Sequence, residues 1–266
     1  MSTTLNFDAD LASRVETVYA TPDVAATRIA VFRAGAPRTG EKVLDVGCGP
    51  GYLTRELGLA VGPQGQATGV DISEPMLGLA KHRCAGLTQV RLESGDATKL
   101  PLEDSSIDLA CGLQVYCYVK ELDAALAELR RVLKPEGRAV ILDTDASGFI
   151  WESRNPGRMR KFLTAFEAHA AWPDLPRTLP RRLKAAGLDV ARCEAVPMVT
   201  LNYHPNTYAH GLARFIPQFV IKNAGIPGEE ADAWLAEFDT LEQQSEFFFA
   251  VNRFVFTAVR SHRNLD

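Results

Sequence analysis

The sequence has 266 residues but only five cysteines, and no two of them form a Cys-x-x-Cys pair or a zinc-binding spacing. That pattern argues against a disulfide framework and leaves no expected metal site. Cys48, Cys84, Cys111, Cys117 and Cys193 read as reduced thiols, with Cys48, Cys111 and Cys193 placed on strands or glycine turns as buried core residues. No apolar run approaches the ~20 residues that a spanning helix needs, so no membrane span is expected. The first ten residues lack a basic stretch followed by an apolar one, which speaks against a secretory leader and for a cytoplasmic protein. Lys and Arg number 29 against 33 Asp and Glu, for a net charge of −4. The cations are scattered rather than striped, so a nucleic-acid partner is not expected. Internal repeats and low-complexity segments are also missing.

What is present is a hydrophobic fraction of 46%, enough to fill a large core. From 42 to 146, strand and helix patterns alternate, which predicts a parallel sheet with helices on both faces. Strands are expected near 42–46, 66–71, 89–93, 107–112 and 138–143. The clearest helix spans 121–133, where Leu122, Ala125, Leu126, Leu129, Val132 and Leu133 share one face. Two further helices are expected within 149–187, a sixth strand over Leu188–Pro197 and a seventh over Phe247–Val259. Residues 203–245 interrupt the strands with two amphipathic helices, far more chain than a plain connection needs. The chain therefore divides into a helical cap (1–40), an α/β domain (41–202), a helical lid (203–245) and a last strand with its tail (246–266).

The most informative stretch is Val43-Leu44-Asp45-Val46-Gly47-Cys48-Gly49-Pro50-Gly51, an apolar strand running into three alternate glycines. Such a turn lets backbone pass close to a bound small molecule. The spacing separates two ligands. A dinucleotide fingerprint wants Gly-x-Gly-x-x-Gly, and here its third place falls on Tyr52. Asp45 would repel a pyrophosphate but attract an ammonium group. Twenty residues past Gly51, Asp71 ends the next strand, where a carboxylate can accept from ribose hydroxyls.

The chain resembles the class I S-adenosylmethionine (SAM)-dependent methyltransferases of the ubiquinone/menaquinone type. The match runs over about 41–145. It includes the glycine loop, Asp71, the Gly95-Asp96-Ala97 turn, the strand around Ile107–Cys111, Leu113-Gln114-Val115, and Leu133–Gly137 leading into the fifth strand. The resemblance implies an α/β fold: a Rossmann-like, seven-stranded, mostly parallel sheet with helices on both faces and a helical lid inserted before an antiparallel last strand. It implies SAM as cofactor, with S-adenosylhomocysteine as product. Tyr19, Asp45, Gly47, Gly49, Gly51, Asp71, Ile72, Asp96, Ala97 and Gln114 would bind the cofactor, Asp96 at the adenine amine and Gln114 beside the methionine part. It also implies a small-molecule methyl acceptor and leaves room for a homodimer.

Methyl transfer is an in-line displacement in which the cofactor carries the difficult chemistry and the protein supplies position. A base is needed for a hydroxyl, phenol or carbon acid and less so for an amine or thiolate. The expected candidates are Asp145, just past the fifth strand, and His204, at the start of the lid. Many relatives carry a Glu-His pair after the fourth strand; Cys117 and Tyr118 stand there instead. Aromatic residues of the lid and of the segment after strand five suit a flat, apolar acceptor on O, N or C. Two alternatives remain at this point: a SAM-binding regulatory module without turnover, and a nicotinamide-dependent oxidoreductase.

Overall fold

The structure, a computed structural model, describes residues 15–261. The first fourteen residues of the expected cap lie outside this range. Within it, a helical turn at 15–19 precedes α1 (Pro22–Gly35). Then follow β1 (Lys42–Val46), α2 (Tyr52–Val61), β2 (Gln66–Asp71), α3 (Glu74–Arg83), β3 (Val90–Ser94) and β4 (Ile107–Leu113). After a 3-10 turn at Tyr116–Tyr118 come α4 (Leu122–Val132), β5 (Leu133–Thr144), β6 (Ile150–Trp151), α5 (Pro156–Glu167) and α6 (Leu175–Ala185). The chain ends with β7 (Leu188–Thr200), α7 (Tyr208–Ala224), α8 (Gly228–Gln243) and β8 (Phe249–Arg260).

The sheet order is β3-β2-β1-β4-β5-β8-β6, with β7 on the outer edge of β8. The five N-terminal strands are parallel, and β8 enters antiparallel between β5 and β7. The sheet therefore has eight strands among the described residues, not seven. The extra one has a physical cause. β8 begins at Phe249, whereas its pairing with β5 starts only at Arg253. The exposed backbone edge at 249–250 is taken up by Ile150 and Trp151 as the chain turns back after β5.

Two apolar layers sandwich the sheet. α1 and α2 bury Val31, Leu53, Leu57 and Val61 against Val43, Leu109, Val140 and Leu142. α4 and α6 bury Leu122, Leu126, Leu129, Leu175, Leu179 and Leu183 against Leu44, Ala110, Ile141 and Phe256. The α4 stripe is the one its sequence spacing predicts. A third cluster joins α5, α7, α8 and the start of β8. Phe162 stacks on Trp234 at 5.1 Å, and Trp151 packs on Phe238 at 5.5 Å. Much of the aromatic content of the lid region is thus consumed by its own core: Trp151, Phe162, Phe166, Tyr203 and Phe219 are buried there. One cysteine departs from expectation. Cys193 is exposed, because it sits on the edge strand β7 whose outer residues no helix covers, whereas Cys48, Cys84, Cys111 and Cys117 are buried.

Two charged side chains are buried where β5 meets β8. Asp143 is 0% exposed and Arg253 2%. Asp143 lies opposite Phe254, and Arg253 opposite Thr144. Successive residues of a strand point to opposite faces, so the carboxylate and the guanidinium flank the sheet from its two sides. Arg253 Nη1 donates to Thr27 Oγ1 at 3.1 Å, and its guanidinium lies 4.7 Å from the centroid of the Tyr208 ring. Burial pushes Asp143 up to about 7, although the Cys117 thiol, nearby backbone N–H groups and the Arg253 cation favour its charged form. Neither Asp143 oxygen has a hydrogen-bond partner among the described residues.

Trp234→Ala should cost about 3–5 kcal/mol in urea denaturation, because it removes the fully buried centre of the lid cluster. A loss below about 1 kcal/mol would show that this cluster collapses around the gap. Asp143 predicts a pH effect. Its folded value of about 7 lies above the ~3.9 of an unfolded chain, so its contribution to stability is full below ~3.9 and is lost as pH rises through about 7. Relative to wild type, Asp143→Asn should therefore gain stability from pH 4 to pH 7 and level off above. Denaturation midpoints that differ by a constant amount across that range would contradict the assignment.

Candidate active site

In an open parallel sheet, ligands bind outside the carboxyl ends of the strands, where the strand order reverses. Here that point lies between β1 and β4. The glycine loop leaves β1 at this edge, and Leu113-Gln114-Val115 leaves β4 beside it. Gly47, Gly49 and Gly51 all have positive φ, at 61°, 52° and 80°. Their reasons for being glycine differ. A Cβ on Gly47 would stand 2.5 Å from Val115 Cγ2, and one on Gly51 would stand 2.8 Å from Ala80 Cβ. Those two glycines let the loop pack against its neighbours. Gly49 is the one of the three where a Cβ would meet only ordinary contact, with Tyr19 Cε2 at 3.7 Å, so close packing of the loop does not account for glycine there.

Two carboxylates hold this loop. Asp71 Oδ2 accepts from Gly49 N at 2.7 Å, and Asp71 Oδ1 accepts from Ser73 N at 2.8 Å. The bond to Gly49 fixes the turn after β1 to the end of β2. Asp45 is buried and accepts from Thr54 Oγ1 at 2.6 Å. Burial pushes Asp45 up to about 7, and the neighbouring Asp71 charge adds to the rise. Past Asp71, Ile72 is 71% exposed, an apolar surface at the strand edge. Gly95 N donates to Asp71 O at 3.0 Å, which brings the Asp96–Ala97 turn beside it. Asp96 is exposed and accepts from Thr98 N at 2.7 Å. Asp71, Ile72, Asp96 and Ala97 thus line one side of the edge: a carboxylate, an apolar platform and a second acceptor.

Tyr19 closes the other side. It lines a cavity of about 30 Å³ with Arg28, Asp45, Gly47, Tyr52 and Leu113. A cofactor-sized ligand needs roughly 300 Å³ or more, so its entry requires the Tyr19 ring to move. Arg28 donates to Glu56 Oε1 at 2.9 Å and to Tyr19 O at 3.2 Å, which ties the Tyr19 backbone to α2. Gln114 has a φ of 56°; its N–H donates to Leu142 O at 2.8 Å, and its side chain accepts from Thr144 Oγ1 at 2.6 Å. A larger groove of about 770 Å³ lies elsewhere, between Arg158 and Lys161 of α5 and Glu229 and Glu230 of α8. Lys161 Nζ stands 2.5 Å from Glu230 Oε2, Arg158 pairs with Glu237, and the groove contains none of the edge residues.

Beyond Gln114, the side chains of Thr144, Arg253, Thr27, Tyr19, Tyr118 and Tyr208 form a polar cluster. Burial pushes the Tyr19 hydroxyl up to about 12 against the pull of the Arg253 cation, and the Tyr208 hydroxyl and Asp71 carboxylate also act on it. Tyr118 is raised by burial and feels Cys117, Tyr19, Tyr208 and Asp143. The segment 169–173 crosses above: Trp172 N donates to Cys117 O at 2.9 Å, and Ala146 N to Pro173 O at 2.7 Å. It carries His169, whose ring stacks on Phe166 at 3.9 Å and meets the Tyr118 ring edge-on at 5.8 Å. His169 Nδ1 stands 2.6 Å from Phe166 O, and burial lowers the imidazole to about 4. The ring is therefore neutral at pH 7, with its proton on Nδ1 and Nε2 left as an acceptor.

The two expected base residues are placed differently. Asp145 caps the turn at Ala146–Gly148 and forms an ion pair with Arg177 at 2.6 Å. His204 is exposed, and its Nδ1 accepts from Asn206 N at 3.1 Å. Arg253 and His169 are residues of this region that the sequence reading passed over. Arg253 had a signal: Phe249, Val251, Arg253 and Val255 are the inward positions of β8, and an arginine in that phase breaks the apolar alternation. His169 had none, because it lies in an irregular segment between helices.

Residues 44–141 match the family model described as a methyltransferase domain. The demethylmenaquinone methyltransferase of Staphylococcus aureus is 46% identical over 110 residues, 40% of this chain and 44% of that enzyme. The matched stretch is 32% to 44% of the length of such relatives. Among solved structures, the [4+2]-cyclase SpnF superposes with a TM-score of 0.57 at 23% identity, covering 89% of this chain and 80% of that one. Phosphoethanolamine N-methyltransferase 2 of Haemonchus contortus, solved with phosphomonomethylethanolamine and S-adenosylhomocysteine, gives 0.61 at 18% identity over 97% of this chain and 58% of that one. Residues 44–141 are thus a methyltransferase domain, carried on the class I S-adenosylmethionine-dependent methyltransferase fold.

Proposed function

We propose that the protein transfers a methyl group from SAM to an O, N or C atom of a small metabolite with an apolar or aromatic body. The observation that carries this reading is the Gly49 turn. It is the one glycine of the loop that close packing against the protein does not require, it is held by Asp71, and it is flanked by the buried Asp45. In this reading Asp71 takes the ribose hydroxyls, Ile72 and Ala97 sandwich the adenine, Asp96 accepts from its amine, and Asp45 answers the ammonium. Gly47 and Gly51 shape the loop, and Tyr19 and Gln114 cover the methionine part. The fit is chemical: two acids suit a cationic adenosyl amino acid and not a pyrophosphate.

SAM supplies an electrophilic methyl group. The S–CH₃ bond breaks as the bond to the acceptor forms, and the sulfonium becomes the neutral thioether of S-adenosylhomocysteine. The chain's part is to align acceptor and methyl and to exclude water, which can supply ~7–11 kcal/mol of the barrier. The half-buried Tyr19, Tyr118 and Tyr208 offer flat faces to such an acceptor. Where the acceptor must lose a proton, His169 suits the task better than Asp145 or His204, since its Nε2 is a neutral acceptor over the ends of β4 and β5. Soluble expression and a homodimer remain to be tested by sizing; no helix among the described residues is long and apolar enough to cross a membrane.

A second reading is favoured by one finding. A [4+2]-cyclase shares the fold, so the fold by itself does not establish methyl transfer. Labelled SAM offered with phenols, amines, quinols and carbon acids separates the two readings, since only a methyltransferase moves the label. SAM and S-adenosylhomocysteine should raise the melting temperature and NAD should not; stabilisation by NAD alone would restore the oxidoreductase reading. Gly49→Ala should weaken SAM at least tenfold while leaving the circular dichroism unchanged. Asp71→Ala should cost roughly 1.5–3 kcal/mol of SAM binding through lost charged hydrogen bonds. Asp45 predicts a pH effect: SAM affinity should rise between about pH 5.5 and about pH 7, because the ammonium favours the ionised carboxylate. Calorimetric titration that finds a constant affinity over that interval would remove Asp45 from the ammonium site.

A further inference from the structure

The guanidinium of Arg253 is the unanswered charge in the cluster. It is 2% exposed, yet among the described residues its one hydrogen bond is to a neutral hydroxyl, Thr27 Oγ1, and Nε has no partner. No ion pair of Arg253 exists among those residues. A buried cation without a counter-ion is costly, because it has lost water and gained no charge in return. The Tyr208 ring offsets part of that cost.

No carboxylate pairs with it among the described residues, although its charge acts on that of Asp143. Asp143 lies on the opposite face of the sheet, opposite Phe254 in the register. Asp23, on α1, accepts from Val24 N at 2.9 Å and from Tyr208 N at 2.7 Å. Asp71 is engaged by Gly49 N and Ser73 N. The groups that do face the guanidinium are hydroxyls and an amide: Thr27, Tyr19, Tyr208 and, on the same face of β5, Thr144 with Gln114. Tyr19 spans the gap, since its ring edge lies against Gly49 and its hydroxyl is within the field of Arg253. A ligand seated beside the glycine loop therefore has the cation on its far side, past Tyr19.

We propose that Arg253 is the anchor for an oxyanion of the methyl acceptor, so that the substrate class is acidic: an aromatic or apolar metabolite bearing a carboxylate or an ionised phenol. The planar fork of arginine suits two oxygens, and its charge persists at every working pH. The Tyr19 and Tyr118 hydroxyls add neutral donors around the same anion, since burial raises both and keeps them protonated. The inference rests on the methyltransferase reading above and narrows its acceptor.

The test uses the full chain, saturated with S-adenosylhomocysteine, and two matched probe pairs: 4-hydroxybenzoate against 4-hydroxybenzamide, and salicylate against salicylamide. In wild type the carboxylates should bind at least tenfold more tightly than the amides by calorimetry. Arg253→Met should erase that preference, leave the affinity for S-adenosylhomocysteine within about threefold, and melt no lower than wild type without ligands. Arg253→Lys keeps a point charge and should retain part of the preference; it also serves if the Met variant does not fold. Equal binding of acid and amide, or of neither, overturns the proposal. So does a tenfold loss of S-adenosylhomocysteine affinity in Arg253→Met, which would give the cation to the cofactor's own carboxylate. A sharp drop in melting temperature for both variants would make Arg253 a structural residue. Failure of wild type to bind S-adenosylhomocysteine at all would instead strike the methyltransferase reading itself.

Discussion

The bond from Gly49 N to the Asp71 carboxylate holds the rest of the candidate site in place. It runs between the turn after β1 and the end of β2, at 2.7 Å. Charged acceptors make stronger hydrogen bonds than neutral ones, and this one is half-buried. The turn needs such a tie because three positive-φ residues in five would otherwise leave it free to sample many shapes. With the tie made, Gly47 packs on Val115 and Gly51 on Ala80, and the strand ends of β1, β2 and β4 share one rim. Asp71 thus shapes the loop, and in the proposed function the same carboxylate would also recognise what the loop holds.

The same rim concentrates charge that the fold would do better without. Asp45 and Asp143 are both carried up to about 7 by burial, and Arg253 is buried with no ion pair among the described residues. Replacing such groups by apolar ones commonly stabilises a protein. Their presence at the carboxyl edge of the sheet, and not in the layers under α4 or α2, fits a site that gains its compensation from ligands. The antiparallel entry of β8 is what delivers Arg253 there. A parallel strand in the same slot would have directed that end of its sequence to the opposite rim.

How much of this was legible in the sequence depends on what each position does. Residues whose role is to form the backbone cradle announce themselves locally: Asp45, the three glycines and Asp71 stand at spacings few other structures need. The α4 stripe and the first five strands were equally legible, because burial on a sheet imposes a periodicity on neighbouring residues. β6 was not, since two residues are too few for any pattern and its existence follows from the overhang of β8 past β5. The lid aromatics were legible as apolar but not as to which way they face; Trp151 and Phe162 turned out to fill the core of the lid. Asp145 looked like a base from its position after β5, and that position equally suits the cap and ion pair it makes. Asp143, two residues earlier, is the buried one.

This division has a physical origin. The cofactor half of the site is read by main chain and by carboxylates at strand ends, so its constraints fall on consecutive residues. The proposed acceptor half draws on α1, the turn after β4, the segment 169–173, α7 and β8, which meet only in the folded chain. Each of those contributes one or two side chains, too few to leave a motif. The exception is a residue that violates the pattern of its own element, and Arg253 in the inward phase of β8 is such a residue. A polar side chain placed where alternation demands an apolar one costs stability at that point, and a fold that keeps it has a use for it outside its own packing. Reading strands for such violations therefore locates acceptor chemistry that motif spacing cannot reach.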